Sequence, residues 1–278
     1  MLIACTHCFA QDAETNINAP YGSAVVCKGK TVVVNCFVSE PTTPWQKEEK
    51  DLVIAKETAG LAWLKAQAVN WRQPVPSFQQ VNLGLEKDIE VPKIQSGTTI
   101  REIKKIKTLW ASYALHSTGI GNIYQWYDSL KTQYGADNLV VLVFANKQGR
   151  SYAQPASKST PLGSEWFVEG AVLYKKISET QLTPGSAIIH EMLHLFGAWD
   201  MYHDGENVMR SGEMERKANG AFGNSVMLNP RGELSKLNCI DQLTSWCIGW
   251  TTTYWSWYEM FRNSPEHQVW EEIPIGGN

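Results

Sequence analysis

Ile188-Ile189-His190-Glu191-Met192-Leu193-His194-Leu195-Phe196-Gly197-Ala198-Trp199-Asp200-Met201-Tyr202-His203 is the stretch on which the reading of this chain turns. His190 and His194 are four apart, so on a helix they stand one above the other on one face. Two imidazole nitrogens placed in this way can reach one zinc ion at about 2.0–2.1 Å. Glu191 follows the first histidine and borders the metal. There it can take a proton from a zinc-bound water whose pKa the ion has lowered to roughly 7. Catalytic zinc usually has three protein ligands and a water. Gly197 is suited to end the helix, because glycine enters the left-handed conformation at little steric cost. The chain can then turn back and offer Asp200. His203 is the rival third ligand: spacing favours the aspartate, and histidine is the commoner choice.

The whole pattern, H-E-x-x-H-x-x-G-x-x-D, resembles that of the metzincin zinc peptidases. Their third ligand is usually histidine at this spacing, and aspartate in its place looks like the snapalysin-type variant. The resemblance implies a zinc-dependent endopeptidase acting on a protein or peptide substrate. It also implies an α/β (α+β) fold with a mixed twisted sheet, backing helices, an active-site helix, a Met-turn under the metal and a C-terminal helix. Two segments suit the Met-turn. Ser225-Val226-Met227-Leu228-Asn229-Pro230 has the better surroundings, and Asn207-Val208-Met209-Arg210-Ser211-Gly212 is the alternative. No tyrosine follows Met227, and Tyr202 is a weak candidate substitute for the transition-state donor found in some metzincins.

Composition bounds the rest. The 278 residues suit one large domain or two small ones, and hydrophobic and charged contents of 43% and 19% are those of an ordinary globular chain. A formal charge of −3 carries no basic excess, so nucleic acid is not an expected partner. No apolar run in the sequence is long enough for a transmembrane segment.

Residues 1–10 read as the remnant of a signal, with Cys8-Phe9-Ala10 before Gln11 as a passable cleavage site. Leu2-Ile3-Ala4-Cys5 resembles a lipoprotein box. Both point to a secreted, periplasmic or cell-surface protein. Of six cysteines, Cys27, Cys36, Cys239 and Cys247 remain if the first two leave. Their pairing is open: Cys27 and Cys36 can face each other across a hairpin, or all four can be free buried thiols.

Residues 11–23 read as a lead-in, 24–262 as one catalytic domain divided near residue 197, and 263–278 as a tail. Within the domain, Ala24–Cys27 and Thr31–Val38 read as a hairpin or two short strands, and Gln46–Trp71 as a helix with Gly60 as a weak point. Ser77–Leu83 reads as a strand, and Thr99–Leu115 and Ile123–Tyr134 as helices. Asn138–Phe144 is the strongest buried strand. Residues 145–163 read as a long loop and Trp166–Tyr174 as a further strand. Ser186 suits the N-cap of the metal helix. Residues 204–224 read as a glycine-rich surface loop in which Asp204-Gly205-Glu206-Asn207 is a weak calcium candidate. Leu237–Trp250 reads as the C-terminal helix, with Ile240, Leu243 and Ile248 in the core, and the aromatic residues from Trp250 to Phe261 pack on their own domain. The substrate, lying as an added antiparallel strand, has two candidate neighbours: Ser151–Gln154 and Trp166–Tyr174. The rival class is a secreted aromatic-rich binding module with a structural zinc. Glu191 argues against it, because a structural site needs no base and is usually closed by four ligands. A protease with one narrow target is the third reading.

Overall fold

Lys30–Ser39 (β1) is the strand on which the sheet is built, and its buried run Thr31–Ser39 explains why. A strand covered on both faces needs apolar side chains pointing both ways. Val33 and Phe37 point to one face, and Val32, Val34, Cys36 and Val38 to the other. The computed structural model describes residues 22–97, 102, 109–156, 168–201, 212–230, 234–235 and 238–262.

The described residues form a mixed α/β fold with a six-stranded mixed sheet. Parallel to β1 run Ser77–Leu83 (β2) and the short Ile89–Glu90 (β3) on one side, and Asn138–Gln148 (β4) on the other. Gly170–Lys176 (β6) is parallel to β4, and Tyr152–Gln154 (β5) closes the sheet antiparallel to β6. The order is β2-β1-β4-β6-β5, with β3 also on β1. β6 is therefore flanked on both sides, and of the two segments expected to border a substrate only β5 lies at an edge.

Helices Lys47–Asn70 (α1) and Gly185–Leu195 (α4) cover one face. Leu61, Leu64 and Ala68 pack with Ile188, Ile189, Met192 and Leu193 over Val140, Leu142 and Leu173. Leu109–Ser117 (α2) and Ile123–Tyr134 (α3) cover the other, through Ala111, Leu115, Ile123 and Tyr127. Beyond α4 come Gly212–Phe222 (α5), Gln242–Cys247 (α6), a short 3-10 turn at Ser256–Tyr258 and Glu259–Arg262 (α7). Phe222, Leu243, Trp246 and Phe261 of these elements, with Met227 and Trp250 between them, join the α1/α4 core. No described helix is long and apolar enough to cross a membrane.

Several expectations are corrected. Residues 24–27 form no strand, because their backbone groups are taken by the Asn138 side chain: Val25 N–H donates to its Oδ1, and its amide donates to the carbonyls of Val26 and Lys28. Cys27 and Cys36 therefore do not oppose each other. They lie in the cores on opposite faces of the sheet, and none of the four described cysteines is in a disulfide. Burial pushes the thiols of Cys27 and Cys36 up to about 12. β4 runs on to Gln148 and β5 follows, where a loop was expected. The expected strand from Trp166 begins at Gly170. The expected loop 204–224 contains α5. The C-terminal helix is only Gln242–Cys247, because Cys239 is held extended beside Ser225 and Asp241 caps the helix after it. Residues 99–101 and 103–108 of the expected helix Thr99–Leu115, the signal remnant, the tail and the calcium candidate lie outside the described residues.

Candidate metal centre

The metal helix starts where its sequence permits. Pro184 is extended, and its carbonyl accepts the amides of Ala187 and Ile188, so Pro184 is the cap and Ser186 lies inside the first turn. Ser186 Oγ instead donates to the Pro230 carbonyl at 2.7 Å. The far end is a Schellman turn. Gly197 has φ +90°, its N–H donates to the His194 carbonyl, and Ala198 N–H donates to that of Leu193. A side chain at that φ is strained, which gives the glycine of the motif its physical role.

This turn delivers Asp200 to the two histidines. His190 Nε2 and His194 Nε2 are 3.1 Å apart. Asp200 Oδ1 lies 3.1 Å from the first and 3.3 Å from the second. Each imidazole is aimed by its other nitrogen. Nδ1 of His194 donates to the Ala198 carbonyl at 2.7 Å, and Nδ1 of His190 to the Val226 carbonyl at 3.2 Å. With both Nδ1 atoms donating to carbonyls, both Nε2 atoms face the space beside Asp200.

The electrostatics fit a cation. Burial draws the His194 imidazole down, but the adjoining Asp200 carboxylate outweighs it and holds the group up at about 9. Burial pushes Asp200 up, and the two imidazoles together hold it well below the usual carboxylate range. Glu191 is raised above its ordinary value by burial and by Asp200, against the opposing pull of the histidines and of Arg150. His190, Glu191 and His194 each bring a donor atom within 4.8 Å of the others and can hold a metal ion. Asp200 Oδ1 makes a triangle with the two imidazole nitrogens, with edges of 3.1, 3.1 and 3.3 Å.

Met227 is buried in a tight turn after α5, and its carbonyl accepts the Met201 N–H at 3.3 Å, one residue beyond Asp200. Tyr202, His203 and Met209 lie outside the described residues. Sequence reasoning missed two groups at the site. One is the Val226 carbonyl, since a backbone atom carries no residue signature. The other is Arg150, whose charge reaches Glu191 from the segment between β4 and β5. No protein-family model matches the chain, and no curated protein matches it.

Proposed function

We propose that the chain is a zinc-dependent endopeptidase of metzincin type, exported from the cytoplasm. One observation carries the reading: the donor triangle of His190 Nε2, His194 Nε2 and Asp200 Oδ1, with edges of 3.1, 3.1 and 3.3 Å. Four ligands held tetrahedrally at about 2.0–2.1 Å stand about 3.3 Å apart, and nitrogen with carboxylate is a zinc donor set. Calcium takes six to eight oxygens at roughly 2.3–2.6 Å, a wider and all-oxygen cage.

His190, His194 and Asp200 hold the ion in this reading, and Met227 belongs to the Met-turn. Bound there, zinc supplies a Lewis acid that acidifies water and polarises a carbonyl. Glu191 takes the proton from the attacking water and delivers it to the leaving amine. Its raised affinity for a proton suits both halves of that task. The peptide lies extended along the outer edge of β5.

Glu191→Gln tests the reading. The variant should keep zinc and lose hydrolysis of casein and of peptide libraries by a factor of about 10²–10⁴. A wild type that binds zinc but cleaves none of these would favour the structural-zinc binding module or a narrow-target protease. A wild type that holds no zinc would refute the reading.

A further inference from the structure

We propose that Asp241 is a positioning residue for His190, acting through Ser225 and the Val226–Met227 peptide group. The inference rests on the metal reading above and concerns a residue of another helix, far along the chain.

The connection is a head-to-tail series of hydrogen bonds. His190 Nδ1–H donates to the Val226 carbonyl at 3.2 Å. The N–H of the same peptide unit belongs to Met227, and it donates to Ser225 Oγ at 3.0 Å. The Ser225 hydroxyl donates to Asp241 Oδ2 at 2.5 Å. His190, Ser225 and Asp241 are all buried, at 1%, 0% and 6% exposure.

Each step fixes the direction of the next. Both Asp241 oxygens already accept from Thr244, so the Ser225 hydroxyl points its hydrogen at Asp241. Its lone pairs are then left for the Met227 N–H. A planar trans peptide carries its N–H and C=O on opposite sides. Holding the Met227 N–H against Ser225 therefore turns the Val226 carbonyl the other way, toward His190. The imidazole must give that carbonyl its Nδ1 hydrogen, which leaves the Nε2 lone pair for the metal. Aligned bonds of this kind polarise one another, so the series strengthens the grip on the ring as well as its direction.

Asp241 is itself held rigidly. It caps α6 by accepting the Thr244 N–H on Oδ1 at 2.9 Å, and the Thr244 hydroxyl also donates to Oδ2. Val226 N–H donates to the Cys239 carbonyl, which fixes the turn from its other side. His194 has no such relay, since its Nδ1 partner is the Ala198 carbonyl at the end of its own helix. The two histidines are thus aimed by different means, one locally and one from α6.

The test uses the full chain and zinc chloride, with zinc affinity read by competition with a chromophoric chelator at neutral pH. Near-ultraviolet circular dichroism reports folding. Ser225→Ala and Asp241→Asn should each weaken zinc binding by roughly 10–100-fold, the usual effect of losing an outer partner of a metal ligand. Thr244→Ala removes a hydroxyl from the same carboxylate but leaves the relay, and should bind zinc as the wild type does. Equal affinity of wild type and Ser225→Ala would overturn the proposal. So would an equal loss in Thr244→Ala, which would make Asp241 a structural cap only. A measurement on the wild type covers variants that fail to fold: in the zinc form the His190 Nδ1 proton should exchange slowly and resonate far downfield, and fast exchange would overturn the relay. A wild type without zinc affinity refutes the metal reading itself, whereas zinc binding with an insensitive Ser225 refutes the relay alone.

Discussion

Gly60 of α1 and Ile189 of α4 stand so close that a β-carbon on the glycine would lie 2.6 Å from Ile189 Cγ1. The glycine that weakens α1 as an isolated helix is the point at which the metal helix seats against it. Gly60→Ala gains up to about 1 kcal/mol of helix propensity. It overpacks the crossing at a cost of roughly 1–3 kcal/mol. The expected outcome is a net loss of stability in urea titration. Adding Ile189→Ala should make the pair less destabilising than the sum of the single changes, because it removes the obstructing atoms. Simple additivity would mean that the helices do not meet there.

Glu57 presents a second measurable consequence. It is fully buried on α1 beneath the sheet, where Asn35 Nδ2 donates to its Oε2 at 2.6 Å and to Asn82 Oδ1 at 3.0 Å. Neither Glu57 Oε1 nor Asn35 Oδ1 has a hydrogen-bond partner. A protonated carboxyl group adds a donor where two acceptors lack one. Burial pushes the group up to about 7 from its ordinary 4.5, against the amides of Gln80 and Asn35. A raised folded value means stabilisation that is complete below about 4.5 and lost as pH rises through about 7. Glu57→Gln, which imitates the neutral acid, should flatten that part of the pH–stability curve and exceed the wild type in mildly alkaline buffer. The gain should be of the order of 2–3 kcal/mol. Glu169, pushed by burial to about 7 as well, leaves a residual slope of the same sign. A variant weaker than the wild type at alkaline pH would show that Glu57 is ionised in the fold.

Asn138 does the work of a missing strand partner, with three hydrogen bonds of 2.9–3.0 Å to residues 25–28. Asn138→Ala leaves those backbone groups to water or to nothing, at a cost of roughly 2–3 kcal/mol. Hydrogen exchange should localise the loss to residues 24–28. Protection there equal to that of the wild type would contradict the role.

Asp200→Ala should lower zinc affinity at least as severely as the roughly 10–100-fold loss that follows removal of an outer partner, since a ligand is lost outright. His203→Ala should leave it unchanged. The reverse pattern would assign the third position to His203. An aspartate ligand also returns negative charge to the metal and weakens it as a Lewis acid, so activity should peak above neutral pH. An acidic optimum would count against Asp200.

What could be read in advance follows from where the information lies. The metal helix, Gly197 and the buried strands announce themselves because periodicity and spacing are local. The triangle with Asp200 was legible for the same reason: a single turn carries it. α5 was hidden by Gly212 and Gly220 at its ends, and the C-terminal helix was overextended because Cys239 is committed to Ser225, a contact that no local pattern encodes. Asn138, Ser225 and Asp241 are polar residues buried by partners far away in sequence. The sequence reads Asn138 only as the start of a strand, Ser225 as part of a turn and Asp241 as a residue inside the C-terminal helix, until the fold brings those partners in.

The Met201 N–H to Met227 carbonyl bond draws together the two ends of the excursion that separates Asp200 from the turn beneath His190. That neck isolates the donor triangle from the length of what lies between. Loop-closure entropy grows only slowly with added residues, each doubling costing about 0.6 kcal/mol. A change in chain length between the two residues that the neck joins therefore acts only weakly on the donor triangle, and under the proposed function a change of target need not begin with a change of chemistry.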